Sequence, residues 1–481
     1  MIKLAVLLYC VAAIGLGWAS MRRGDAGVAF WTAGRELDAT SVGLSMSAGF
    51  MSISWSCVYA VQVFYAYGLG GLWLITLPWL VALFGIYHLA GRYRELPAFS
   101  QPEMVGARFG PGTRKLVACA LCFVFLAWGG AEIFVAATLL APGLDMDVDT
   151  TVVAIAVVVG IYATMGGFRA VVATDKLQYG IVALYVIAMS WLALQGMLAH
   201  RDGNVLPGTE VAALRSGASW TSLWAPGLVT IGLTFAAYLP GWLFETDLWV
   251  RVLAARDATA ARRGVLLAGA NAVVFVGILP LFVGVTALEL FPPVAGAGPA
   301  GIGPDGDAIF AALVAEFAPS WMAVLVAAGL VAAAMSTIDT CANVVALAFA
   351  YDLLRLHERA PGMLNVRTAT ALSMVGLCLF ALNTGSLWDL FYLSGGMLTT
   401  AVALPVAAVI WRGASARGVA WSSAAGGSAT GAAYLLERTG YLAAIEPAAV
   451  AESGLGFVLW GIAAALAGYA AGSAWRRPVN A

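Results

Sequence analysis

Ser45-Met46-Ser47-Ala48-Gly49-Phe50-Met51-Ser52-Ile53-Ser54 is the stretch on which the reading of this chain turns. It sits inside an apolar run, 40–62, long enough to cross a hydrocarbon core of roughly 30 Å as one helix. Small and hydroxyl-bearing residues interrupt that run near its middle. Irregular backbone is tolerated at membrane depth only where it is buried in protein or borders a cavity, because lipid offers its amides and carbonyls no partner. A broken helix frees carbonyls, and carbonyls freed near the midplane are cation ligands in transporters built from inverted repeats. Ser and Gly also occur at ordinary helix contacts, so the rest of the chain has to decide.

The chain has 481 residues, 62% hydrophobic and 11% charged, against about 25% charged in soluble domains. About thirteen apolar spans follow one another, near 2–19, 40–62, 68–91, 114–140, 150–167, 173–198, 222–248, 265–289, 320–350, 368–384, 387–411, 418–436 and 454–475. The fold class is all-α integral membrane. A net charge of −1 gives no reason to expect a nucleic-acid partner. The six cysteines all lie in apolar runs and read as buried thiols, and the three histidines show no metal-ligand spacing. No Gly-rich phosphate loop marks an ATP-driven pump. No nucleophile–base cluster marks an enzyme.

Loop charge sets the orientation. With the first loop inside and alternation thereafter, the inner side holds 21 Lys and Arg, including Arg22, Arg23, Arg251, Arg359, Arg476 and Arg477. The outer side holds 4, namely Lys3, Arg201, Arg215 and Arg438. The expected topology has the N-terminus outside and the C-terminus cytoplasmic, in the cell membrane. Arg22-Arg23 follow the first span rather than precede it, so that span reads as a retained helix, not a signal peptide.

A charge at the centre of a span costs about 2.5–3.5 kcal/mol on translocon scales, which makes Glu132, Asp175, Glu245, Asp247 and Asp339 functional candidates. In Ala332–Asn343, a helix places Ser336, Asp339, Thr340 and Asn343 on one face, with Thr337 and the Ala333 carbonyl at its edge. Hydroxyls with one carboxylate suit a hard cation, which takes oxygen ligands. The alternative is hydroxyls joining helices, but that role needs no charge. Tyr238-Leu239-Pro240-Gly241-Trp242 is a further candidate break. It lies five spans after the first, the spacing of two five-helix repeats.

Several motifs resemble those of the sodium:solute symporter family, whose members carry proline, pantothenate, sugars and sialic acid. They are Phe30-Trp31-Thr32-Ala33-Gly34-Arg35, Gly166-Gly167-Phe168-Arg169 followed by Thr174-Asp175-Lys176-Leu177-Gln178, and Trp249 to Asp257. Met335-Ser336-Thr337 with Tyr351-Asp352-Leu353, and Trp411-Arg412 with Gly418, continue the order. The resemblance implies the leucine-transporter fold. An N-terminal helix and loop (1–39) would precede a ten-helix core of two inverted five-helix repeats (40–412), and two helices (413–481) would follow.

It also implies a sodium site from the carbonyls of Ala48, Met51 and Ala333 and the hydroxyls of Ser336 and Thr337. A second cation site in some members corresponds to Asp175, Asp339 and Thr340 with Ser336. Here Asp339 replaces an expected hydroxyl, so either a cation lies between the two acids or one of them holds a proton. Solute-contact positions correspond to Phe50, Ser52, Trp55, Trp128, Glu132, Tyr238 and Trp242. If Glu132 and Glu245 line the cavity, they favour a solute with a positive group. The expected activity is sodium-coupled uptake of a small polar solute, with no covalent chemistry, no organic cofactor and no evident obligate protein partner. Proton coupling on the same fold and a transporter-like sensor are the alternatives. The chain ends soon after Arg477, without the cytoplasmic signalling domain that such a sensor usually carries.

Overall fold

The structure is a computed structural model and describes residues 2–21, 28–200, 203–359, 362–383 and 387–474. Arg22, Arg23, Arg201, Arg476 and Arg477, used in the charge count, lie outside those residues. The described chain is helical, with three isolated bridges. Its principal helices begin with α1 (Ile2–Ala19), α2 (Ala39–Phe50), α3 (Ala60–Tyr67), α4 (Thr76–Arg94), α5 (Pro111–Leu144) and α6 (Val148–His200). Next come α7 (Gly227–Leu243), α8 (Thr246–Ala254), α9 (Ala258–Ala272), α10 (Leu279–Leu290) and α11 (Ala323–Ala346). The last are α12 (Met363–Leu382), α13 (Leu387–Met397), α14 (Ala416–Arg438) and α15 (Gly456–Ala474).

Among the described residues, eight helices are long and apolar enough to cross a membrane, or nine with the bent pair of the first break. The count of thirteen is not reached on that measure. Two expected spans, 150–167 and 173–198, form the single helix α6. At 1.5 Å per residue its 53 residues would run about 80 Å, so it turns, at Gly167 with φ 58° and ψ −148°. α4 ends in Arg92 and Arg94, and α14 is rich in Gly, Ser and Thr, which lowers their hydropathy. Leu4, Leu7, Leu8, Val11 and Trp18 of α1 are each more than half exposed, an apolar outer surface suited to lipid.

The first break falls at Met51-Ser52, between α2 and a π-helical turn at Ile53–Tyr59 that leads into α3. The two arms meet at 61°. The second break corrects the expectation at Tyr238–Trp242. α7 runs through Pro240 to Leu243, and the chain breaks at Phe244-Glu245 before α8. Proline disrupts the helical ladder, and a neighbouring hydroxyl repairs it. Thr399 accepts from the Gly241 amide at 3.1 Å and donates to the Ala237 carbonyl.

α11 runs through the centre, packed on α5 and α6 and touching α2. The motifs converge beneath it. A side chain at Gly167 would meet the Phe30 carbonyl, and Arg169 pairs with Glu36 at 3.0 Å. Asn343 donates to the Trp31 carbonyl at 3.3 Å. A parallel bridge closes this end: the Leu37 amide bonds Ala254 O at 3.0 Å, and the Arg256 amide bonds Leu37 O at 2.8 Å.

Candidate ion and solute site

At the first break the end of α2 faces the middle of α11. Ser336 Oγ lies 3.0 Å from the Ala48 carbonyl and 2.9 Å from the Ala333 carbonyl. Thr337 Oγ1 lies 3.1 Å from the Gly49 carbonyl and 3.5 Å from that of Ala333. Met51, at the break, gives its amide to Ser47 O at 3.0 Å. The carbonyls of Ala48, Gly49 and Ala333 and two hydroxyls thus gather between the helices. These are oxygen donors of the kind a hard cation takes.

One turn further along α11 lies a second cluster, centred on Arg251 of α8, which is fully buried. Its guanidinium donates to Ser45 Oγ at 2.7 Å, Asp175 Oδ2 at 3.1 Å, Thr340 Oγ1 at 2.8 Å and the Asp247 carbonyl at 3.0 Å. Ser45 also donates to Asp175. The planar fork of donors suits this setting, where a bare buried charge would be costly. Asp339 stands apart from the guanidinium and accepts from Tyr162 Oη at 2.7 Å.

Next to the first cluster is a cavity of about 60 Å³. Phe50, Ser52, Trp55, Trp128, Glu132 and Trp242 line it, as do Thr337, Thr340, Glu245 and Asp247. Among the described residues, Glu132 has no basic partner there. Its carboxylate accepts the Ile53 amide at 2.7 Å, the Ser54 amide at 3.3 Å and the Ser54 hydroxyl, while Ser52 Oγ accepts the Trp55 amide at 3.0 Å. The helix that restarts at Ile53 therefore has its first donors satisfied by side chains. Trp55, Trp79 and Trp242 touch one another, with ring centroids 5.2–5.8 Å apart. Tyr238 stacks on Trp242 at 5.5 Å but faces a separate pocket with Tyr59, Tyr392, Arg215 and Asp305.

A profile of the sodium:solute symporter family matches residues 30–426. The chain belongs to that family. Human sodium/myo-inositol cotransporter 2 is 28% identical over 358 residues, 67% of this chain and 50% of the relative. Zebrafish (Danio rerio) sodium/glucose cotransporter 4 is 25% identical over 476 residues, 86% of this chain and 69% of the relative. The chain spans about half the length of the myo-inositol cotransporters it matches. Among solved structures, the substrate-bound outward-open state of a Na+-coupled sialic acid symporter superposes with a TM-score of 0.70 at 15% identity. That superposition covers 99% of this chain and 98% of the other. The likeness establishes a transporter fold, in a multi-pass membrane protein.

Within this symporter framework the structure brings Ala48, Ala333, Ser336 and Thr337 together and adds Gly49. It brings six of the seven solute candidates to one cavity and leaves Tyr238 outside. Sequence reasoning missed Arg251, which it counted as an inner-loop charge. The signal available was Asp247 and Arg251 at i and i+4 in an apolar setting, a spacing that puts both on one helix face. It missed Ser45 for want of any partner near in sequence. Trp79 comes from α4, and nothing local marks it as a cavity residue.

Proposed function

We propose that this symporter-family chain couples sodium influx to the uptake of a small polar solute by alternating access. The observation that carries the reading is the set of oxygens between α2 and α11. Sodium would sit among the carbonyls of Ala48, Met51 and Ala333 and the hydroxyls of Ser336 and Thr337, displacing the hydroxyls' hydrogen bonds to backbone. It would clamp the broken helix to α11 beside the solute cavity. Coupling then requires that sodium bind the two access states unequally. The core would be the two inverted five-helix repeats of 40–412, with one helix before and two after. The closed Leu37–Ala255 bridge supports a conformation shut at that end.

Asp175, Asp339 and Thr340 remain the candidate second cation set. The guanidinium of Arg251 already bonds Asp175 and Thr340, which supports one sodium per cycle with a tethered cation in place of the second. The test is uptake by purified protein in liposomes under an imposed sodium gradient, with the ion-to-solute ratio taken from the voltage at which net flux vanishes. Flux driven by a proton gradient and indifferent to sodium would favour proton coupling instead.

A further inference from the structure

The cavity has an unusual charge balance. Glu132, Glu245 and Asp247 line it, and Asp175 and Asp339 connect to its Thr340, the first through Arg251 and the second directly. Among the described residues Arg251 is the basic group in this cluster, bonded to Asp175 and near Asp247. Five carboxyls stand against one guanidinium in a place where an uncompensated charge is costly. One sodium leaves the balance negative, so the remaining charge calls for protons or for a positive solute.

The lining says which positive solute fits. Trp55, Trp79 and Trp242 form a continuous aromatic wall with Phe50 set edge-on to Trp79. Ring faces attract cations, most strongly where water is excluded, and aromatic cages are a recurrent way to hold quaternary ammonium groups. Asp247, nine-tenths buried, has an Oδ1 with no hydrogen bond among the described residues, and the buried Trp79 Nε1 has none either. Both belong to the cavity lining.

The position that would suit an anion is taken. Amides at the start of a half-helix attract carboxylates. Here those of Ile53 and Ser54 already hold the protein's own Glu132. A solute carboxylate would meet a like charge where it most needs a donor.

We propose that the cavity selects a small organic cation, an amine or quaternary ammonium without a carboxylate, over neutral polyols and amino acids. This rests on the transport reading for its purpose but on the cavity for its chemistry. The experiment is a thermal-unfolding titration of the purified full chain at saturating sodium. The probes are choline and its neutral isostere 3,3-dimethylbutanol, isopentylamine and isopentyl alcohol, myo-inositol and proline.

At least one cation is expected to bind roughly tenfold or more tightly than its neutral isostere, a difference of about 1.4 kcal/mol. Glu132→Gln, which keeps an acceptor for the Ile53 amide, should weaken binding of the cation more than that of its isostere and so narrow that ratio. Equal binding within each pair, preference for myo-inositol or proline, or no stabilisation by either cation would overturn the inference. Unfolding with and without sodium, before any solute is added, is read separately. Loss of that sodium effect alone would strike the symport reading and not this one.

Discussion

Replacing Ser336 and Thr337 together with Ala probes the proposed ion site most directly. Both hydroxyls face backbone carbonyls within 3.1 Å, so their loss removes two of the five proposed ligand oxygens without adding bulk. A hydrogen-bonding group to a charge contributes about 1.5–3 kcal/mol. Two give about 3–6 kcal/mol, or roughly a hundredfold to ten-thousandfold weaker sodium binding at 1.4 kcal/mol per tenfold. The cost to the fold is smaller. Two neutral hydrogen bonds at about 1 kcal/mol each leave most of a stability of about 5–15 kcal/mol. The assay is the unfolding midpoint titrated with sodium chloride, with potassium holding the ionic strength constant. In the parent, sodium at a hundred times its dissociation constant adds about 2.7 kcal/mol. Over the same range the variant should gain at most about 0.4 kcal/mol from sodium while still unfolding cooperatively. A variant that binds sodium as tightly as the parent would refute the assignment.

Arg251→Met should lower the unfolding midpoint sharply, because stranding a buried partner such as Asp175 costs about 3–5 kcal/mol; adding Asp175→Asn should recover part of the loss, and a strictly additive double variant would contradict the pairing. Reporter fusions at Ala474 are expected to show a cytoplasmic location, from the 21-to-4 charge asymmetry; periplasmic activity there would reverse the topology. Asp38 caps α2, and its bonds from Ser41 hold its carboxyl below the usual carboxylate range. A depressed pKa gives stability that is present above the usual carboxylate range and lost as pH falls through the lower, folded value. The advantage of the parent over Asp38→Ala in unfolding midpoint should therefore hold at neutral pH and shrink as the pH is lowered through and below the usual carboxylate range of about 3.9, and a constant difference would rule the cap's charge out.

Much of this was legible from local signals. The first break could be read because Ser and Gly stand out in an apolar run, and the face of α11 because its polar residues recur at helical spacing. The second break was misplaced by one turn, since Pro240 advertises a kink that Thr399, far along the chain, repairs. Arg251 was misread for a related reason: a positive residue after an apolar run looks like a loop anchor until its three-dimensional partners are known. Glu132 stood out as an acid in a span. Its role at the amides of Ile53 and Ser54 depends on two helices meeting, which no periodicity reveals.

The short bridge between Leu37 and Ala255 ties the start of α2 to the end of α8, one half of each broken span. Under the proposed alternating access, a state open from that side would part it. The amide hydrogens of Leu37 and Arg256, each bonded across the bridge, would then meet solvent only during that excursion. Their deuterium uptake would act as a clock, counting openings per minute in unlabelled protein and reporting how each added ion or solute changes the tempo.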